Sequence, residues 1–158
     1  NANATRLTIM TNHFSGRSDN PQHSFMWIKP RKIFLLIGIN DIARGVPDEV
    51  ILRNYQRIVD SIQLQSPSTK LYIQSLLPTN NGFTQFKNHQ NKTEYVLRVN
   101  EGLKKLCVEK KITYINLYDA FLNTDGKLNE KFTNDGLHLT GEGYRHWKQL
   151  LINGKYLK

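Results

Sequence analysis

The stretch Asn134-Asp135-Gly136-Leu137-His138-Leu139-Thr140 sets a carboxylate and an imidazole three residues apart around a glycine. A carboxylate beside one imidazole nitrogen fixes the ring's tautomer and leaves the other nitrogen free as a base. The same spacing also suits a loop with a helix cap and a structural histidine, and on spacing alone the two readings stand level. A second cluster, Gly38-Ile39-Asn40-Asp41, directly follows an apolar run. Glycine lets the chain turn sharply there, and Asn40 offers an amide donor. Taken alone, the plainer reading of this cluster is a turn whose Asn and Asp cap the next helix. The other histidines, His13, His23, His89 and His146, lack such a partner nearby in sequence and read as surface or core residues.

These residues need elements to hold them. Ile33-Phe34-Leu35-Leu36-Ile37 is a continuous apolar run, as expected of a strand buried on both faces. Pro47-Asp48-Glu49 starts a helix with acidic residues in its first turn, and Ile51, Tyr55, Ile58, Val59 and Ile62 recur on one face of it. Leu71-Tyr72-Ile73-Gln74-Ser75-Leu76-Leu77 is the next strand, and a polar loop runs from Asn80 to about Asn91. Tyr95, Val99, Leu103 and Leu106 stripe a second helix, and residues 112–117 make a third strand. Thr140 is placed to cap a last helix with Tyr144, Trp147, Leu150 and Leu151 on its apolar side. Strands alternating with helices predict a parallel sheet covered on both faces. Both clusters would then lie beyond the carboxyl ends of strands, where ligands bind in such sheets. In the first 30 residues only Leu7-Thr8-Ile9-Met10 reads as a short strand.

Length and composition fit this picture. The 158 residues make one domain's worth of chain, 39% hydrophobic and 22% charged, which excludes a disordered tail or a collagen-like repeat. No apolar run reaches the length of a membrane-spanning helix, and no signal-peptide pattern opens the sequence. The net charge of +9 permits an anionic partner, but the basic residues are spread out. Their densest group, Lys104, Lys105, Lys110 and Lys111, reads as a solvated helix face. No interleaved aromatic and basic pattern supports nucleic-acid binding. Cys107 is the single cysteine, so no internal disulfide forms, and its neighbours mark it as a small buried residue on a helix. None of the usual clustered metal-ligand spacings occurs. Compartment and oligomeric state are not legible.

Together the two clusters resemble the SGNH, or GDSL-type, hydrolases, a family of esterases and acylhydrolases. Residues 33–41 look like the family's third block, G-x-N-D after a buried strand. Asp135-Gly136-Leu137-His138 looks like its fifth block, D-x-x-H near the end of the chain, and Gln74-Ser75-Leu76-Leu77-Pro78 is similar to the strand end between them. The resemblance covers about residues 27–152 and is nearest to bacterial proteins similar to platelet-activating-factor acetylhydrolase subunits and carbohydrate acetylesterases. It implies an α/β three-layer sandwich with a flavodoxin-like parallel sheet in the order 2-1-3-4-5. It also implies a reaction without metal or cofactor. By position, His138 would be the general base, Asp135 its orienting carboxylate and Asn40 a donor to the oxyanion.

The family's first block, a strand running into Gly-Asp-Ser with the nucleophilic serine, is absent. Only 37 residues precede Gly38, too few for both early strands with their helices. Asn12-His13-Phe14-Ser15-Gly16 resembles the second block only faintly. Residues 1–26 are thus atypical of the single domain expected over 1–158. Three explanations stand: a fragment whose first strand lies upstream, an altered N-terminus on the family scaffold, or Ser15 or Ser18 as an unorthodox nucleophile. In the last case Leu7–Met10 would pair in parallel with residues 33–37, and Ser15 would be the better candidate. The expected function is hydrolysis of a small acyl, acetyl-type ester on a carbohydrate or lipid through a Ser-His-Asp relay. The rival is a non-catalytic binding module that keeps the pocket for an acylated sugar or an anionic ligand.

Overall fold

The apolar run at residues 33–37 forms strand β1 (Lys32–Leu35). It pairs in parallel with β2 (Lys70–Gln74), Leu35 opposite Ile73. That strand pairs in parallel with β3 (Thr113–Ile115), Gln74 opposite Ile115. The computed structural model describes residues 30–157. The three described strands run in the order β1-β2-β3. The early strand expected at Leu7–Met10, the serines Ser15 and Ser18, and His13 and His23 lie outside the described residues.

Alternation along β1 sends Ile33 and Leu35 to one face and Phe34 to the other. Helices α2 (Asp48–Gln65) and α3 (Thr93–Lys110) cover the first face with Tyr55, Val59, Val99 and Leu103. Helix α4 (Gly141–Asn153) covers the second with Trp147 and Leu151. On that face Phe34 stacks on Tyr72 of the neighbouring strand, centroids 4.7 Å apart. The chain is therefore an α/β fold, a parallel sheet between helical layers. Among the described residues no helix is long and apolar enough to cross a membrane.

The helix signals act as physics requires. Pro47 stands at the N-cap of α2, where its missing N–H costs nothing, and Asp48 and Glu49 fill the first turn. Thr140 caps α4 by accepting from the Gly143 N–H. One expectation fails there: Tyr144 is not on the buried side but about half exposed, its ring stacked 6.0 Å from Trp147. Cys107 is buried, and that burial pushes its thiol up to about 11. Lys104 and Lys105 are exposed, and Lys110 pairs with Asp60 at 2.6 Å across α2 and α3.

All three strands stop short of the carboxyl ends of the segments expected to form them, because side chains take over from the backbone ladder at that edge. After β1 the Ile37 N–H donates to the Tyr55 hydroxyl, which donates back to the Ile37 carbonyl at 2.7 Å. After β2 the Leu76 N–H donates to Asn100 Oδ1 at 2.7 Å, and Asn100 Nδ2 donates to the Leu76 carbonyl. After β3 the N–H groups of Leu117 and Tyr118 both donate to Ser75 Oγ at 2.9 Å. These backbone groups are thus satisfied without further strand pairing.

Candidate active site

Both clusters open onto the carboxyl edge of the sheet, joined there by the loop that leaves β2. Asp135 and His138 share one turn after a 3-10 segment at Glu130–Phe132. Asp135 Oδ1 accepts the N–H groups of Leu137 (2.9 Å) and His138 (2.8 Å). Asp135 Oδ2 lies 2.8 Å from His138 Nδ1. A carboxylate can only accept, so in the neutral ring the imidazole proton sits on Nδ1 and Nε2 keeps its lone pair. Partial burial pushes the Asp135 carboxyl up, but the His138 N–H, the His138 ring and the Leu137 N–H outweigh it. The carboxyl is held below the usual carboxylate range. The His138 side chain is 65% exposed, and Nε2 has no hydrogen-bond partner among the described residues.

The β2 loop clamps this turn. The Asn80 N–H donates to the Gly136 carbonyl at 2.9 Å. The buried Asn80 amide donates to the Leu128 carbonyl and to Glu130 Oε1, each at 2.8 Å, and accepts from the Gly82 N–H. Gly136 sits at φ +83°, and a Cβ there would fall 2.4 Å from the Asn80 carbonyl oxygen. Gly136→Ala is expected to cost about 1–3 kcal/mol from backbone strain alone, more with the overlap, and to displace His138. A thermal melt checks it; a variant melting with the wild type would show that the loop adapts freely.

Asn40 follows Gly38, which stands at the N-cap of the short helix α1 (Ile39–Ala43) with φ 112° and no side-chain cap. The Asn40 amide does not cap a helix. Its Oδ1 lies 2.8 Å from Nε2 of His89, in the β2 loop. His89 is therefore not the plain surface or core residue that its sequence surroundings suggest, whereas His146 is structural, stacked on Phe132 and hydrogen-bonded to the Ala120 carbonyl. Between the clusters stands Phe86, whose ring meets His138 edge-on at 4.8 Å and His89 at 6.0 Å. Phe86 adopts φ 52° and is 43% exposed, an unfavoured backbone conformation for a bulky residue. The signal for this pair was two phenylalanines, Phe83 and Phe86, and a histidine in an otherwise polar loop leaving a strand's carboxyl end.

Partial burial, and then the neighbouring His138, push His89 below the ordinary imidazole range. A lowered folded value means that the stabilisation is complete above the unfolded value and lost as pH falls through the folded one. Asp135 has the same sign in the lower carboxylate range. Acidification is thus expected to lower the urea midpoint in two windows, one below the imidazole range and one below the carboxylate range. Denaturation across a pH series tests this; a midpoint that rises on acidification would contradict it.

Among the described residues no group of three or more His, Cys, Asp or Glu side chains could hold a metal. None of the described serines is hydrogen-bonded to His138; the buried Ser75 hydroxyl serves the backbone after β3.

A family model for GDSL-like lipases and acylhydrolases matches residues 10–146. The chain is 28% identical over 119 residues to an N-acylneuraminate cytidylyltransferase of Streptococcus agalactiae, covering 75% of this chain and 27% of that enzyme. It is 27% identical to the rat platelet-activating factor acetylhydrolase IB subunit alpha2, covering 74% of this chain and 48% of that subunit. A solved Streptococcus pneumoniae structure described as a platelet activating factor superposes with a TM-score of 0.74 at 30% identity, over 79% of this chain and 59% of that one. The chain thus spans about a quarter to a half of the curated relatives it matches.

Proposed function

The chain belongs to the GDSL-like lipase/acylhydrolase family, and from that premise we propose that it hydrolyses small, acetyl-type acyl esters with His138 as general base. The observation that carries this reading is the 2.8 Å contact of Asp135 Oδ2 with His138 Nδ1, which leaves an exposed Nε2 lone pair at the carboxyl edge of the sheet.

In the first half-reaction Nε2 takes the proton of a serine hydroxyl as its oxygen attacks the ester carbonyl. Asp135 stabilises the imidazolium so formed. The Asn40 amide donates to the oxyanion, a contribution of roughly 3–4 kcal/mol to lowering the barrier. The imidazolium then returns its proton to the departing alcohol, leaving an acyl-serine. Water repeats the sequence: Nε2 takes its proton, the hydroxide oxygen bonds to the acyl carbon, and the serine leaves with the proton returned. No described serine is hydrogen-bonded to His138; within the given sequence Ser15 is the first candidate nucleophile and Ser18 the second.

Turnover of p-nitrophenyl acetate above a His138→Ala control tests the reaction. Fluorophosphonate labelling, lost in Ser15→Ala and kept in Ser18→Ala, tests the nucleophile. Neither turnover nor labelling from the wild-type chain, with an acylated sugar still bound, would favour a binding module on the same scaffold.

A further inference from the structure

We propose that His89 is a positioning residue whose ring, protonated at Nε2, holds the Asn40 carbonyl and so makes the amide NH2 the group turned to the cleft. Its catalytic consequence rests on the acyl-ester reading above; the placement itself does not.

A primary amide is nearly symmetric in shape but opposite in function at its two ends. A half-turn about its last bond exchanges a double donor for an acceptor. Only the NH2 end can stabilise an oxyanion; the carbonyl end would repel it. What decides the orientation is the partner at the other end of Asn40, and that partner is His89 Nε2, 2.8 Å away.

A neutral imidazole has one proton to place. His89 Nδ1 is buried and has no hydrogen-bond partner. A proton there would be a donor facing nothing, at a cost of about 1–3 kcal/mol, and an orphaned buried N–H is rarer than an under-used acceptor. A proton on Nε2 faces an amide oxygen instead. The ring is kept neutral by its partial burial and by His138 nearby, so a second proton on Nδ1 is disfavoured as well. Nε2–H therefore donates to Asn40 Oδ1. The Asn40 NH2 has no competing acceptor among the described residues and remains available. With the opposite tautomer Nε2 would accept from the NH2 and turn the carbonyl outward. The imidazole tautomer thus sets the sign of the dipole that Asn40 presents.

Phe86 fits this role. Its ring lies against both His89 and His138, in a backbone conformation that tertiary contacts must hold. That contact links the ring that orients Asn40 to the proposed base.

The test combines 15N NMR of the histidine rings with kinetics of three variants: His89→Leu, which removes the donor; His89→Gln, whose amide N–H replaces it near the Nε2 position; and His89→Leu in an Asn40→Ala background. Circular dichroism confirms folding. The expected wild-type spectrum shows His89 protonated at Nε2 and bare at Nδ1, and the Asn40 side-chain amide signals shift in His89→Leu. With p-nitrophenyl acetate, kcat should fall roughly ten- to a hundredfold in His89→Leu with KM little changed, on the scale of a displaced oxyanion donor. His89→Gln should recover most of it, and His89→Leu should cost nothing further once Asn40 is Ala. A proton on Nδ1, unmoved Asn40 amide signals, or losses that add in the double variant would overturn the proposal. If the wild type shows no turnover at all, the acyl-ester reading falls by itself. The ring tautomer and the Asn40 signals then decide the placement: Nε2–H with shifted signals upholds it, and either alternative removes it.

Discussion

Asp135→Asn should leave the chain folded and lower turnover by about 10⁴, the scale on which a catalytic histidine locked in the wrong tautomer fails. The replacement keeps an oxygen to accept the Leu137 and His138 N–H groups that now bond to Oδ1. The other end of the side chain becomes an NH2 facing Nδ1, which must then accept. The ring proton moves to Nε2, the nitrogen proposed to receive the serine proton, and the base is disabled without being removed. His138→Ala should lose at least as much, since it removes the base itself and not only the group that orients it. Rates on p-nitrophenyl acetate, with melting curves to confirm folding, check both. Asp135→Asn within tenfold of the wild type would mean that the 2.8 Å contact is structural only.

Asn40→Ala should lower kcat by about 10²–10³, the loss of one oxyanion donor. Stability should fall little, because the amide caps no helix and the one bond forfeited, to His89, is worth about 1 kcal/mol. Asn40→Asp gives a sharper contrast. It still accepts from His89 but brings a negative charge to the place where negative charge develops, so it should be at least as slow as Ala while folding normally. Unchanged turnover in Asn40→Ala with a large drop in melting temperature would assign the residue to loop architecture instead.

What sequence could show depended on how local the cause was. Ile51, Tyr55, Val59 and Ile62 announce α2 because burial repeats with the helix turn, and the structure buries these four. Asp135 and His138 were legible because they lie only three positions apart. His89 and Asn40 are 49 positions apart, and nothing in their surroundings predicts a hydrogen bond. Their meeting depends on the β2 loop folding back over α1, which is set by tertiary contacts such as that between Asn80 and Gly136. Strand lengths were overestimated for a related reason. An apolar run reports burial, not pairing, and the residues that replace the ladder, Tyr55 and Asn100, come from helices far along the chain.

The side-chain endings of the strands bear on how this scaffold could diversify. Because Tyr55, Ser75 and Asn100 satisfy the backbone where it leaves the sheet, the segments beyond them inherit finished sockets instead of frayed ends. Their lengths and sequences can drift, or be transplanted from a homologue, without unzipping the sheet beneath. A designer seeking altered substrate preference would conserve those three buried anchors, keep Asn40, Asn80 and His89 in the loops above them, and vary the loop positions that remain.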